Sequence, residues 1–200
     1  MRVKPHREDV YCVRAKPGDN RGMSSPARPL PLRRLFAYLI DSLVIFAWIA
    51  GLTAIGMSWG TELFDRLDPA STKIFGHAFS FTALTLPVVL YFALTERSAM
   101  RASPGKRALG LCVAGPDGTG IGLSRALVRN ALKFLPWEVA HTAIWHAPGQ
   151  PFIDVPTASF MALHAGALAL AGLYIASLFV GSGRTPYERL SGTRVIARSA

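Results

Sequence analysis

Three long stretches of this chain carry no charged side chain. Ser42–Thr61 is 20 residues without one, Ile74–Thr95 is 22, and Val155–Gly183 is 29. A helix rising 1.5 Å per residue needs about 20 apolar residues to cross a bilayer core. Soluble helices of that length keep a charged face, so buried helices of a soluble α-protein are the weaker reading. The runs therefore predict membrane spans at about 35–57, 74–95 and 156–180. A weaker fourth segment, about 129–147, has Glu138 as its one charge after Lys133, and Pro136 is expected to kink it.

The charges lie between the runs and alternate in sign. Residues 1–34 hold nine Lys/Arg against three acids, whereas 57–73 holds two against Glu62, Asp65 and Asp68. Residues 96–133 hold seven bases against Glu96 and Asp117, 134–183 holds none, and the tail holds four against one acid. Basic loops stay cytoplasmic, which puts both termini and the central loop inside and makes the number of crossings even. The expected fold is an all-α polytopic membrane protein of about four segments in the cell membrane. The third is short, kinked or re-entrant, and three spans is the fallback count.

The net charge of +10 suggests nucleic acid at first sight. Topology already accounts for the basic residues, which are expected to face anionic lipid headgroups, and no zinc spacing or basic helix with interleaved aromatics supports the alternative. Residues 1–30, rich in proline, glycine, serine and basic side chains, read as a disordered cytoplasmic arm ahead of a membrane domain at 31–197. No cleaved signal peptide is expected. Two cysteines, Cys12 and Cys112, exclude a disulfide scaffold; a hundred residues apart, they read as reduced thiols.

Asp41 is the residue most out of place. Arg34, Tyr38 and Asp41 share one helix face, and seven residues put Asp41 about 10.5 Å below Arg34. An ionised carboxylate at the middle of a spanning helix costs about 2.5–3.5 kcal/mol on insertion scales. Asp41 is thus expected to face the protein or water and to have a basic partner or a raised pKa. It reads equally well as a structural ion pair and as a proton or cation site. Glu138 and His141 share a face of the third segment, and His77, His146, His164 and Asp154 could join them. A polar kink is the better reading than a metal centre, so no metal or cofactor is expected.

Pro87 is expected to kink the second span, tolerated if a neighbour satisfies the carbonyl it frees. Ala165/Ala169 and Gly172/Ala176 have small-xxx-small spacing and read as a packing stripe. In the central loop, 107–114 followed by the Gly115–Gly118 turn predicts a short hairpin. Ser124 is expected to cap an interfacial amphipathic helix carrying Arg129 and Lys133 at the headgroups. Gly105-Lys106 lacks the preceding glycine and following hydroxyl of a P-loop, with Met100 and Arg107 at those positions.

Three blocks resemble the signatures of the RDD family of small membrane proteins. They are Arg34–Asp41, Pro104–Gly110 with Asp117–Asn130, and Arg184–Val195. By the resemblance Arg34 and Asp41 fill the first two named positions, and Glu188 stands at the third, where the family usually has Asp. It implies solute transport or cation/proton antiport. Two functions therefore compete. One is a transporter using Asp41 with Arg34 and Tyr38, expected as a homo-oligomer because four spans make a thin monomer. The other is a non-transporting adaptor whose Arg34–Asp41–Glu188 network is structural and presents the loop to an unknown protein partner. No Ser/His/Asp set or nucleophile elbow indicates an enzyme.

Overall fold

A computed structural model of the chain describes residues 30–59, 69–149 and 153–198; the proposed N-terminal arm lies outside them. The protein is an all-α polytopic membrane protein. Among the described residues, three stretches are long and apolar enough to cross a bilayer: Leu30–Gly56, Ser71–Arg97 and Ala158–Ala176. Their outward surfaces are apolar, with Leu43, Phe46, Phe79, Leu94, Leu168 and Ile175 all exposed. Facing acyl chains satisfies such side chains, so burial within the protein is not needed.

Helix α1 runs Leu30–Trp59, starting earlier than expected because Leu30, Pro31 and Leu32 extend the apolar run past Arg33 and Arg34. The second span is three pieces on one axis: α2 (Pro69–Ser80), a π-helical turn (Phe81–Thr85) and α3 (Leu86–Arg97). Pro87 explains the irregularity. It has no N–H for the carbonyl of Ala83 and its ring crowds that oxygen. Trp48 of α1 fills the place of the missing donor, its indole N–H lying 3.0 Å from the Ala83 oxygen.

After α3 come a five-residue helix α4 (Pro104–Ala108) and strand β1 (Leu111–Ala114). The expected local hairpin does not form. β1 pairs antiparallel with β2 (Arg194–Ala197) near the end of the chain, Leu111 opposite Ala197 and Ala114 opposite Arg194. The Gly115–Gly118 turn is present, but the segment after it, Thr119-Gly-Ile-Gly122, has two glycines and little strand propensity, whereas Arg194-Val-Ile-Ala197 offers β-branched residues. Cys112 in β1 is buried. Cys12, the other residue read as a reduced thiol, lies outside the described residues.

Helix α5 (Leu123–His146) replaces two expected pieces. An interfacial helix followed by a dip was anticipated, yet 24 residues form one helix about 36 Å long, capped by Gly122 rather than Ser124. Pro136 sits inside it. The carbonyl four residues earlier, on Leu132, accepts a 2.8 Å hydrogen bond from the Tyr174 hydroxyl of α6 (Ala158–Ala176). That bond lets α5 pass through its proline without an orphaned acceptor.

α5 lies between α3 and α6 and packs most extensively against those two. The small-residue stripe of α6 is not part of this packing. Ala165, Ala169, Gly172 and Ala176 are exposed, and nothing lies within 4 Å of where a Gly172 Cβ would stand. A last short helix, α7 (Pro186–Leu190), returns the chain to β2. Ala37, Ala93, Leu111, Val113, Ile121, Ala126 and Val195 form a small apolar core where the ribbon meets α1, α3 and α5. We call this the basal end.

Candidate functional site

Among the described residues, seven Lys, Arg, Asp and Glu side chains are buried at the basal end: Arg34 and Asp41 of α1, Glu96 of α3, Lys106 of α4, Arg129 and Lys133 of α5, and Glu188 of α7. Four bases face three acids. Burying charge is affordable only when each group is paired and its remaining hydrogen-bonding positions are met. Glu96 and Glu188 satisfy this.

Glu96, fully buried, accepts from Lys106 Nζ (2.8 Å) on one oxygen and from Arg129 Nε and Asn130 Nδ2 (both 3.0 Å) on the other. Glu188 accepts from Arg34 (2.7 Å), from the Thr185 amide (2.9 Å) and, more loosely, from Arg129 (3.4 Å). Arg129 also donates to Thr193 Oγ1 at 2.7 Å and lies over the Tyr187 ring. Burial pushes the Glu188 carboxyl up, but the Arg129 and Arg34 guanidiniums outweigh it and hold the group below the ordinary carboxylate range.

Asp41 is held differently from expectation. It meets no base: its carboxylate accepts from the Ser103 hydroxyl (2.6 Å) and the Gly105 amide (2.8 Å) at the start of α4. Arg34, expected beside it, turns to Glu188 and to the Gly183 carbonyl at 2.6 Å. Seven residues of helix separate the two side chains by more than a direct contact, and α4 and α7 occupy the two positions. Lys106 reaches Asp41 only through Ser103, 3.3 Å from its hydroxyl. Gly105 is required here, because a Cβ would collide with the Ala37 carbonyl oxygen and stand 2.9 Å from the Asp41 carboxyl carbon. The cavity that Asp41 lines, with Arg34, Tyr38, Lys106, Arg129 and Tyr187, measures about 10 Å³. That is about one water molecule's share of probe volume.

Tyr38 joins the site through a 2.7 Å bond between its hydroxyl and that of Tyr187. Arg33 fastens the central loop, donating to the Leu109 and Gly110 carbonyls, the latter at 3.0 Å. Adjacent arginines on α1 thus grip two segments far apart in sequence.

The sequence reading therefore named three of the seven buried charges, Arg34, Asp41 and Glu188, with Tyr38 beside them. The sequence places Glu96, Lys106, Arg129 and Lys133 among loop or headgroup charges, whereas all four are buried. A signal existed for two of them. Arg129, Asn130 and Lys133 lie at one helical face, and all three are buried.

The secondary pair, Glu138 and His141, separates. Glu138 bonds His77 Nε2 at 3.0 Å and the Thr85 hydroxyl at 2.8 Å, while His77 Nδ1 lies 3.1 Å from His146 Nε2. His141 instead packs edge-on against Trp137, with no hydrogen-bond partner at its Nδ1. His164 contacts its own helix at Phe160. Both His77 nitrogens are occupied by protein atoms, an arrangement of hydrogen bonds and not of converging metal ligands.

Apolar spanning helices closed at one end by a buried ionic cluster define a multi-pass membrane protein with a charged base. The RDD family model matches residues 28–170, and the chain belongs to the RDD family. The match takes in Arg34, Asp41, Glu96, Lys106, Arg129 and Lys133 and ends before Glu188. No curated protein and no solved structure matches the chain.

Proposed function

We propose that this protein is a non-transporting membrane adaptor or assembly factor, and that its basal charges are a structural clamp rather than an ion path. The observation that carries this is the enclosure of Asp41. A transport carboxylate must exchange its partners with solvent, whereas Asp41 is 2% exposed, bonded by the buried Ser103 hydroxyl and the Gly105 backbone amide of one loop, and lines a space for about one water. The other two acids are bonded by three groups each. Such a clamp fixes the central loop, α7 and the β-ribbon against α1, and so gives a rigid face to a protein partner. By the alternation of Lys and Arg, this face is cytoplasmic, as are both termini, and the membrane is the cell membrane. The function requires no catalytic step.

Asp41→Asn tests the proposal with two readouts. The expected result is a lower melting temperature in detergent and no change in proton, sodium or potassium flux of proteoliposomes relative to wild type. Wild-type flux that vanishes in Asp41→Asn at an unchanged melting temperature would overturn it.

One feature favours transport as the second reading. A cavity of about 190 Å³, lined by Ser42, Thr85, Phe134 and Trp137 among others, lies between the residue following Asp41 and the hydroxyl that bonds Glu138. Its walls are otherwise apolar, which suits a dry packing gap better than a path for ions.

A further inference from the structure

The clamp holds one base more than it has acids, and the base without a hydrogen-bond partner is Lys133. Glu96 is taken up by Lys106, Arg129 and Asn130, and Glu188 by Arg34, Arg129 and an amide; Asp41 is bonded by neutral donors. Lys133 is 7% exposed and its ammonium has no hydrogen-bond partner. Three ring faces lie against it: Phe92 at 3.5 Å from its centroid, Tyr38 at 4.6 Å and Phe134 at 5.0 Å. Rings stabilise a cation but fill none of its three donor positions.

Lys133 also lines a groove of about 290 Å³ between α1, α5 and α6. Leu35, Pro136, Trp137, Ile175 and Leu178 supply its apolar walls. Lys133 is level with Tyr38, one turn from Arg34 and about 6 Å deeper along α1. An apolar trough with an ammonium that lacks a hydrogen-bond partner, one turn inside the first helix, matches a molecule with an acyl chain and a negative head.

We propose that this groove binds an anionic phospholipid, whose acyl chain lies along α5 and α6 and whose phosphate pairs with Lys133. Charge complementarity selects this occupant. A zwitterionic lipid would fill the trough equally well but would bring its own cation, leaving the excess of one base unrelieved. The four-carbon stem of lysine lets the ammonium swing from the rings toward the headgroup level. The binding is independent of whether the protein transports anything.

The test uses the full chain in detergent, titrated with phosphatidylglycerol or phosphatidylcholine, and reads lipid binding by native mass spectrometry and melting temperature. Wild type is expected to prefer phosphatidylglycerol by roughly tenfold, the equivalent of one charge-assisted bond. Lys133→Met should lose that preference, and Arg107→Gln, which removes an exposed charge, should keep it. A preference retained in Lys133→Met, or none in wild type, overturns the proposal; so does equal stabilisation by inorganic phosphate. Should Lys133→Met not fold, the wild type decides through Trp137. Phosphatidylglycerol brominated in its chains is expected to quench the fluorescence share lost in Trp137→Phe more than brominated phosphatidylcholine does, and equal quenching overturns the site.

Discussion

The two ends of the bundle both hold ionisable groups, and they hold them by different means. At the base, seven charged side chains from five separate segments are buried, and Glu96 and Glu188 have no exposure at all. Toward the other end, His77, Glu138, His146 and Thr85 form a hydrogen-bonded row from α2, the π-turn and α5, with His77 and Glu138 each 23% exposed. The basal groups cannot shed their charges to solvent, so each acid there needs several fixed donors. The row can work with neutral imidazoles, whose nitrogens still donate and accept. Depth of burial thus decides whether a polar cluster is indispensable or exchangeable.

The sharpest way to break that comparison is Glu96→Ala. It strands Lys106 in a buried site and takes from Arg129 and Asn130 the oxygen they share, and breaking a buried pair typically costs about 3–5 kcal/mol. Thermal unfolding in detergent should show a large fall in melting temperature or no folded protein. A variant with wild-type stability would mean that the base is not a clamp.

Glu188→Gln sharpens the same end through pH. The folded carboxyl titrates below its ordinary value of 4.5, so the folded state binds protons less readily than the unfolded chain. Its stabilising contribution is complete above about pH 4.5 and is lost as pH falls from there through the lower folded value. The stability difference between wild type and Glu188→Gln should be greatest near neutrality, on the order of 1–3 kcal/mol, and should shrink on acidification. A difference that does not change with pH would show that Glu188 stabilises by shape and not by charge.

Between the two ends lie the prolines, and they show what a sequence can and cannot announce. Pro87 and Pro136 are visible, as is the rule that each frees a carbonyl; that Trp48 and Tyr174 answer them depends on helix neighbours, which no local pattern specifies. The charge-free runs located the spans because hydrocarbon imposes its requirement residue by residue. The shared face of Arg34 and Asp41 followed from helical spacing alone. Their partners did not follow, since α4 and α7 approach α1 from 64 and 154 residues away. Likewise β1 found its partner in a segment joined to it through two long helices, so a turn signal beside it pointed to the wrong strand. Glu96, Arg129 and Lys133 escaped because charges near span ends satisfy the topology rule whether they are buried or exposed.

Tyr174→Phe measures the middle of the bundle. It leaves the Leu132 carbonyl unbonded, at a cost of about 1–3 kcal/mol. Pro136→Ala gives that carbonyl its own helical donor, so adding it to Tyr174→Phe should recover most of the loss. A double-mutant cycle on melting temperature reads the coupling, and additive effects would exclude that the Tyr174 hydroxyl serves the carbonyl freed by Pro136.

The smallest effect is expected from His77→Gln, at the open end. Glutamine keeps one donor and one acceptor, so it can retain the bond to Glu138 while losing that to His146. Thr85 still holds the other Glu138 oxygen, and Glu138 is partly open to its surroundings, so no buried charge is stranded. The loss should be within about 1 kcal/mol, the range of a partly exposed pair. Melting His77→Gln beside Glu96→Ala in the same detergent makes the contrast direct. Equal losses would mean that the row is as rigidly required as the clamp, and that exposure does not separate the two ends.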